Sequence, residues 1–283
     1  GQMSTLEVYQ SLWAMQPHAP DGVMIPVEMA FEMVADAGYD GMAIELGASD
    51  MESMQATRPL FERHGLGCLI MAFPNTLEDL RPVLHMAKDF NAIGVNIIGQ
   101  LPALTLAEMI PIARTWIDMA ADEGVPIQFE THRNCMTNDL YTTLELIEAV
   151  PEMRLCADLS HYVVDREFWF PISDYDNALI QRILKRSDSF QGRVATREQI
   201  QVSIAFPQHK KWYDQFAGWW EDGFRDWRAR NPDGTCNFLC ELGPPEYAIT
   251  GPDGHEISNR WDEALLIRDR VQRIWSKLET ETP

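Results

Sequence analysis

"PVEMAFEMVADAGYDGMAIELG", residues 26–47, holds one structural period of this chain. Val27, Ala30, Phe31, Val34 and Ala37 recur at helical spacing, which places one apolar stripe on a helix over 26–38, and Gly38 stops it. The run "GMAIELG" from Gly41 is apolar, glycine-bounded and of strand length. Helix then strand is half of a parallel crossover unit.

The same period recurs along the chain. Strand-like runs begin at Leu6 (LEVYQSLWAM), Gly41, Gly67 (GCLIMAF), Gly94 (GVNIIGQ), Val125 (VPIQFET), Met153 (MRLCADLS), Ser189 (SFQGRVAT) and Cys236 (CNFLCELG). Further amphipathic segments cover 50–65, 77–91, 105–123, 138–149, 174–186, 209–230 and 259–279. Strict alternation implies a parallel sheet with right-handed crossovers, and eight units read most simply as an α/β fold, a closed (β/α)8 TIM barrel. An open doubly wound sheet would carry a glycine-rich phosphate turn after its first strand, and "SLWAMQPHAPDG" has none. No low-complexity linker divides the chain, so one domain is expected over 3–283. Gly1 and Gln2 read as a non-native remnant ahead of Met3.

Composition narrows the function classes. The 283 residues are 46% apolar and 23% charged, with no run of about 20 uninterrupted apolar residues and no secretory leader at the start. A membrane partner is not expected. Lysine and arginine number 23 against 43 acidic residues, a net charge of −20 that repels phosphate polyanions, so nucleic acid is not expected either. Of five cysteines, Cys68, Cys156, Cys236 and Cys240 lie in apolar strand-like runs, which suggests reduced thiols and a cytoplasmic setting. Cys236 and Cys240 have the spacing of half a metal site, but no second pair completes it.

In a barrel of this kind reactive side chains gather where strands end at their C-terminal side. Glu45 closes the second strand, Glu130, Thr131 and His132 the fifth, Asp158, Ser160 and His161 the sixth, and Glu241 the eighth, while Gln191 and Arg193 belong to the seventh. One acid alone reads equally well as a helix cap or a surface ion pair. Three carboxylates in one partly dry mouth would either take up protons or recruit a cation. Oxygen donors of this sort suit Mn2+ first or Mg2+, with Co2+ or Zn2+ if an imidazole joins. His161 reads as a substrate contact or as support behind the metal, against a plain loop histidine. Trp13 and Phe73 could stack on a sugar's apolar face or simply fill core. Trp212, Phe216, Trp219, Trp220, Phe224 and Trp227 recur at about helical spacing, the pattern of a helix packed on the barrel wall, with a subunit interface or substrate cover as the rival. His18, His64, His85, His209 and His255 have no convergent partners and read as surface or packing residues.

"FETH" at 129–132, "ADLSH" at 157–161, "GRVATREQIQV" at 192–202 and "CELGPPEYAI" at 240–249, in this order, resemble the xylose-isomerase-like TIM-barrel superfamily over nearly the whole chain. That group contains sugar isomerases, ketose 3-epimerases, hydroxypyruvate isomerases, inosose dehydratases and type IV apurinic endonucleases. By position the resemblance implies a divalent metal on Glu130, Asp158, Gln191 and Glu241. It further implies catalysis by Glu130 and Glu241, and substrate contacts from His161 and Arg193, with His132, Glu45 and Trp13 beside them. Gln191 departs from the pattern, because an imidazole is expected there and a neutral amide oxygen is a weaker, harder ligand. The implied activity is a metal-dependent isomerase or epimerase that acts on a sugar, keto-sugar or polyol through an enediolate. A lyase using the same enolate is the first alternative, and a non-catalytic sugar-binding protein with a decayed site the second. Dimers and tetramers are common among the resembled proteins, so a homo-oligomer is expected.

Overall fold

The computed structural model describes residues 3–17, 20–47 and 49–281, so Gly1, Gln2 and His18 lie outside the described residues. Among the described residues, eight strands run β1 (Ser4–Ser11), β2 (Gly41–Glu45), β3 (Gly67–Ala72), β4 (Gly94–Ile97), β5 (Ile127–Glu130), β6 (Leu155–Ala157), β7 (Ser187–Gln191) and β8 (Gly234–Cys240). Each pairs in parallel with its sequence neighbour, and β8 returns to β1, with Cys240 opposite Gln10, to close the barrel. The helices are α1 (Val27–Asp36), α2 (Met51–Gln55), α3 (Arg58–His64), α4 (Leu80–Asp89), α5 (Leu106–Glu123), α6 (Leu140–Ala149), α7 (Ser160–Asp165), α8 (Asp174–Leu184), α9 (Lys210–Arg230) and α10 (Arg260–Thr280). This is the single-domain (β/α)8 barrel expected from the alternation.

Local chemistry sets the boundaries. Side chains of Asp50, Thr105, Asp139, Ser173 and Asn259 accept the backbone N–H three residues on, capping α2, α5, α6, α8 and α10. The segment expected as one helix over 50–65 is two, because Pro59, in the first turn of α3, has no N–H with which to continue α2. The sixth strand is shorter than expected. The chain leaves the sheet after Ala157 and turns directly into α7, which the apolar pattern had concealed.

Strand alternation separates two cores. Outward side chains such as Val8, Ile70, Phe129, Phe190 and Phe238 pack against the helices, while Tyr9, Ala43, Leu69, Met71, Ile98 and Leu239 form a second cluster. The Tyr9 ring lies against Gly41 and Gly67, where a Cβ at either glycine would clash with it. The aromatic stripe of α9 is buried against the wall, with Trp220 and Phe238 ring centroids 5.1 Å apart and Phe224 and Trp275 5.5 Å apart. That is the packed-helix reading, and the stripe forms no substrate cover.

Candidate active site

Period-two alternation aims the inward residues at the strand ends into one mouth. Glu45, Glu130 and Gln191 are the last residues of β2, β5 and β7, while Asp158 and Glu241 directly follow β6 and β8. Gln191 and Arg193 can both face inward because Gly192 between them lies against the Phe238 ring and Ile267, where no side chain fits. Glu130, Asp158, Gln191, Arg193 and Glu241 are all buried.

Glu130, Arg193 and Glu241 line a cleft of about 260 Å³ whose sides are Trp13, Phe73 and Tyr247 and whose polar surface also includes Glu45 and His132. Such a volume lies at the small end of ligand sites and suits one sugar-sized molecule. Trp13 meets Tyr247 edge-on, with centroids 5.5 Å apart. Arg260 links the loops that carry the pair. It bonds to Pro17 O at 2.6 Å, to Ala14 O and to the Glu256 carboxylate at 3.0 Å, so the β1 loop is tied to the segment that follows β8.

Asp158 is fully engaged. One oxygen accepts from the Ser160 hydroxyl at 2.5 Å and its amide at 3.2 Å, while the other pairs with Arg193 Nη1 at 2.5 Å and faces His161 Nε2 at 3.3 Å. Burial alone would raise its pKa, but Arg193, His161 and Ser160 outweigh burial and hold the carboxyl well below its usual range. Thr131 pins the position from β5, accepting from Asp158 N at 2.9 Å and donating to its carbonyl at 2.8 Å.

The two expected histidines divide differently. His132 lines the cleft, its Nδ1 2.6 Å from Arg133 O, and burial together with His161 pushes its pKa down to about 3, so it is neutral. His161 lies behind it, ring centroids 4.2 Å apart, wholly buried, with Nδ1 accepting from Arg133 Nε at 3.1 Å. Its Nε2 lies 3.3 Å from Asp158 Oδ2 without a hydrogen-bond partner of its own, and His161 stands behind the cleft lining, next to Asp158.

Burial raises the proton affinity of all three glutamates. Burial pushes Glu45 up to about 7 against the pull of Arg193, and Glu241 up to about 8 against the same pull. Burial and the neighbouring Glu241 and Asp158 hold Glu130 well above the usual range. Glu45 Oε2, Glu241 Oε2 and Gln191 Oε1 are buried acceptors with no protein partner, which leaves them open to a ligand's hydroxyl groups.

A divalent ion needs several lone pairs aimed at one point. Gln191 turns its N–H toward Glu130 Oε1 as a donor, and Asp158 has given its oxygens to Arg193 and Ser160. Among the described residues no three His, Cys, Asp or Glu side chains gather as a cation site. As arranged, of the four side chains expected to hold a metal, Glu130, Asp158 and Gln191 are tied into hydrogen bonds and one ion pair, with Gln191 Oε1 and Glu241 Oε2 left without a protein partner.

Sequence reading passed over three residues of the site. Gln201 accepts from Arg193 Nε at 3.2 Å and bonds both the N–H and the carbonyl of Gly243, coupling the loop after β7 to the one after β8. Tyr247 lies 4.7 Å from the Arg193 guanidinium carbon, and Arg133 braces His161. Gln201 and Tyr247 fall inside "GRVATREQIQV" and "CELGPPEYAI", but nothing local in an uncharged side chain marks it as part of a site.

No family model and no curated protein matches this chain. Solved structures do. A xylose isomerase-like TIM barrel protein from Mycobacterium smegmatis, solved in complex with magnesium, has a TM-score of 0.65 at 15% identity, covering 96% of this chain and 97% of that one. D-allulose 3-epimerase from Methylomonas sp., in complex with D-allulose, gives 0.60 at 16% identity, covering 96% and 99%. A probable 3-DHS dehydratase involved in petrobactin synthesis from Bacillus anthracis gives 0.56 at 12% identity, covering 94% and 97%. Identities this low establish the architecture, and this chain has the fold of the xylose isomerase-like TIM barrels.

Proposed function

We propose that this chain is an enzyme that moves a proton on the carbon beside a carbonyl of a small carbohydrate or polyol, as an isomerase or epimerase. One observation carries the reading: Glu130 and Glu241 reach a sugar-sized cleft from strands three apart, both buried and both with raised proton affinity. An acid whose pKa is near the working pH can accept a proton in one step and return it in the next. Trp13, Phe73 and Tyr247 offer apolar faces to the ring carbons, and the unpartnered oxygen of Glu45 accepts a hydroxyl group. Arg193 supplies positive charge beside the oxygen that becomes an enolate. No step of this reading passes through a metal ion.

A second reading, elimination from the same enolate, is favoured by Glu45. Pushed up to about 7, it is a third carboxyl able to hand a proton to a leaving oxygen, one more than epimerisation uses. The likeness in fold to an epimerase and to a dehydratase accords with both readings. A sugar-sized partner, a reducing cytoplasmic setting supported by five unpaired cysteines, and assembly into a homo-oligomer belong to the same proposal.

Incubation with a panel of keto-sugars and keto-polyols in deuterated water tests it. Label should enter the carbon beside the carbonyl with the native chain and not with Glu241→Gln, and product mass separates isomerisation from elimination. Absence of exchange across the panel, with ligand-dependent thermal stabilisation, would leave a sugar-binding protein.

A further inference from the structure

Four carboxyl groups, Glu45, Glu130, Asp158 and Glu241, converge on one mouth, and buried carboxylates need protons or positive charge. A guanidinium already stands among them. Arg193 is 2% exposed, its Nη1 lies 2.5 Å from Asp158 Oδ2, and it lines the cleft beside Glu45, Glu130 and Glu241. Its plane is set by Gln201 on Nε at 3.2 Å and by the Tyr247 ring at 4.7 Å, so it is locked rather than free to swing out. Arg193 favours the charged form of all four acids. Gln191 adds to the arrangement by donating its amide N–H to Glu130, which a cation-bound neutral imidazole lone pair could not do, while its Oε1 has no protein partner.

We propose that the Arg193 guanidinium is the resident cation of this site, replacing a divalent ion among the four carboxyl groups, so that the folded protein neither holds nor needs a metal. The inference concerns charge balance and holds whether or not the catalytic reading above does. A guanidinium cannot be stripped by chelators, and its fork of donors satisfies carboxylate oxygens that would otherwise seek a metal.

Chelator-dialysed protein is titrated separately with Mn2+, Mg2+, Co2+ and Zn2+ by calorimetry, and melted with and without each ion. The expected result is no saturable heat and no change in Tm. An ion bound one-to-one and present at about a hundred-fold excess over its Kd would instead raise Tm by about 5 °C. Such binding, lost in Glu241→Gln, overturns the proposal. Independently, Arg193→Lys, which keeps the charge, should melt several degrees above Arg193→Met, which keeps the length and loses it. Equal melting of both variants with the native chain also overturns the proposal. Neither readout uses activity, so a failed search for substrate leaves the test intact.

Discussion

At the scale of single residues, the site is a study in where protons reside. Glu241 has a folded pKa of about 8 against an ordinary value of 4.5. A carboxyl raised on folding contributes stability that is full below about pH 4.5 and is lost as pH climbs through its folded pKa. Glu241→Gln, neutral at every pH, should therefore melt above the native chain at pH 8.5 to 9 by on the order of 1–3 kcal/mol, and the gap should close toward pH 4.5. Melting curves across that range would show it; a gap that widens on acidification would contradict the proton placement. Asp158 runs the other way. Its carboxyl is depressed by Arg193, His161 and Ser160, so its contribution is present above pH 3.8 and lost below it. Asp158→Asn should cost about 3–5 kcal/mol at neutral pH, because it leaves the Arg193 charge buried without its partner.

At the scale of elements, loops that rim the cleft are held by buried polar links. Arg260, at the start of α10, spans the β1 loop and the Glu256 carboxylate, near the loops that carry Trp13 and Tyr247. Arg260→Ala is expected to destabilise the fold by about 3–5 kcal/mol, through the unpaired Glu256 and the abandoned carbonyls. It should also loosen the cleft wall, which the intrinsic fluorescence of Trp13 in a Trp-background variant would report. Gly192 has a different role, since a methyl there would stand 2.7 Å from the Phe238 ring. Gly192→Ala should cost about 1–3 kcal/mol by overpacking and should displace Gln191 and Arg193 together, measurable as lowered stability with weakened ligand binding. Periodic helices and the alternation that produces the barrel were readable in the chain because each depends on residues within a few positions of one another. The break between α2 and α3 was not read, since 50–65 was expected as one helix, although Pro59 stands at it. The turn into α7 was hidden, because "LCADLSHYVV" continues an apolar run through a change of backbone direction, where the Asp158 carboxylate accepts the Ser160 N–H at the start of the helix.

At the scale of the whole molecule, a charge of −20 on 283 residues leaves long-range repulsion that the folded chain must bear. Added monovalent salt screens it, so Tm should rise between about 0.01 and 0.15 M salt, where the Debye length falls from roughly 30 to 8 Å. A falling Tm would mean that surface ion pairs, such as those of Glu123 with Arg81 and Lys88, outweigh the repulsion. No helix of the described residues is long and apolar enough to cross a membrane. By itself the sequence determined the barrel, its single-domain extent and the strand ends at which polar side chains collect, since hydrophobic period and turn residues are local quantities that sum along the chain. Tertiary structure alone decided what those side chains do to one another. Asp158 and Arg193 are 35 residues apart, Glu130 and Gln191 are 61, and their distances depend on eight strands closing with one register. The same list of residues could have surrounded an ion. Whether an oxygen or an N–H of Gln191 faces Glu130, and whether a guanidinium already occupies the space between carboxylates, are contacts that no spacing in the sequence encodes.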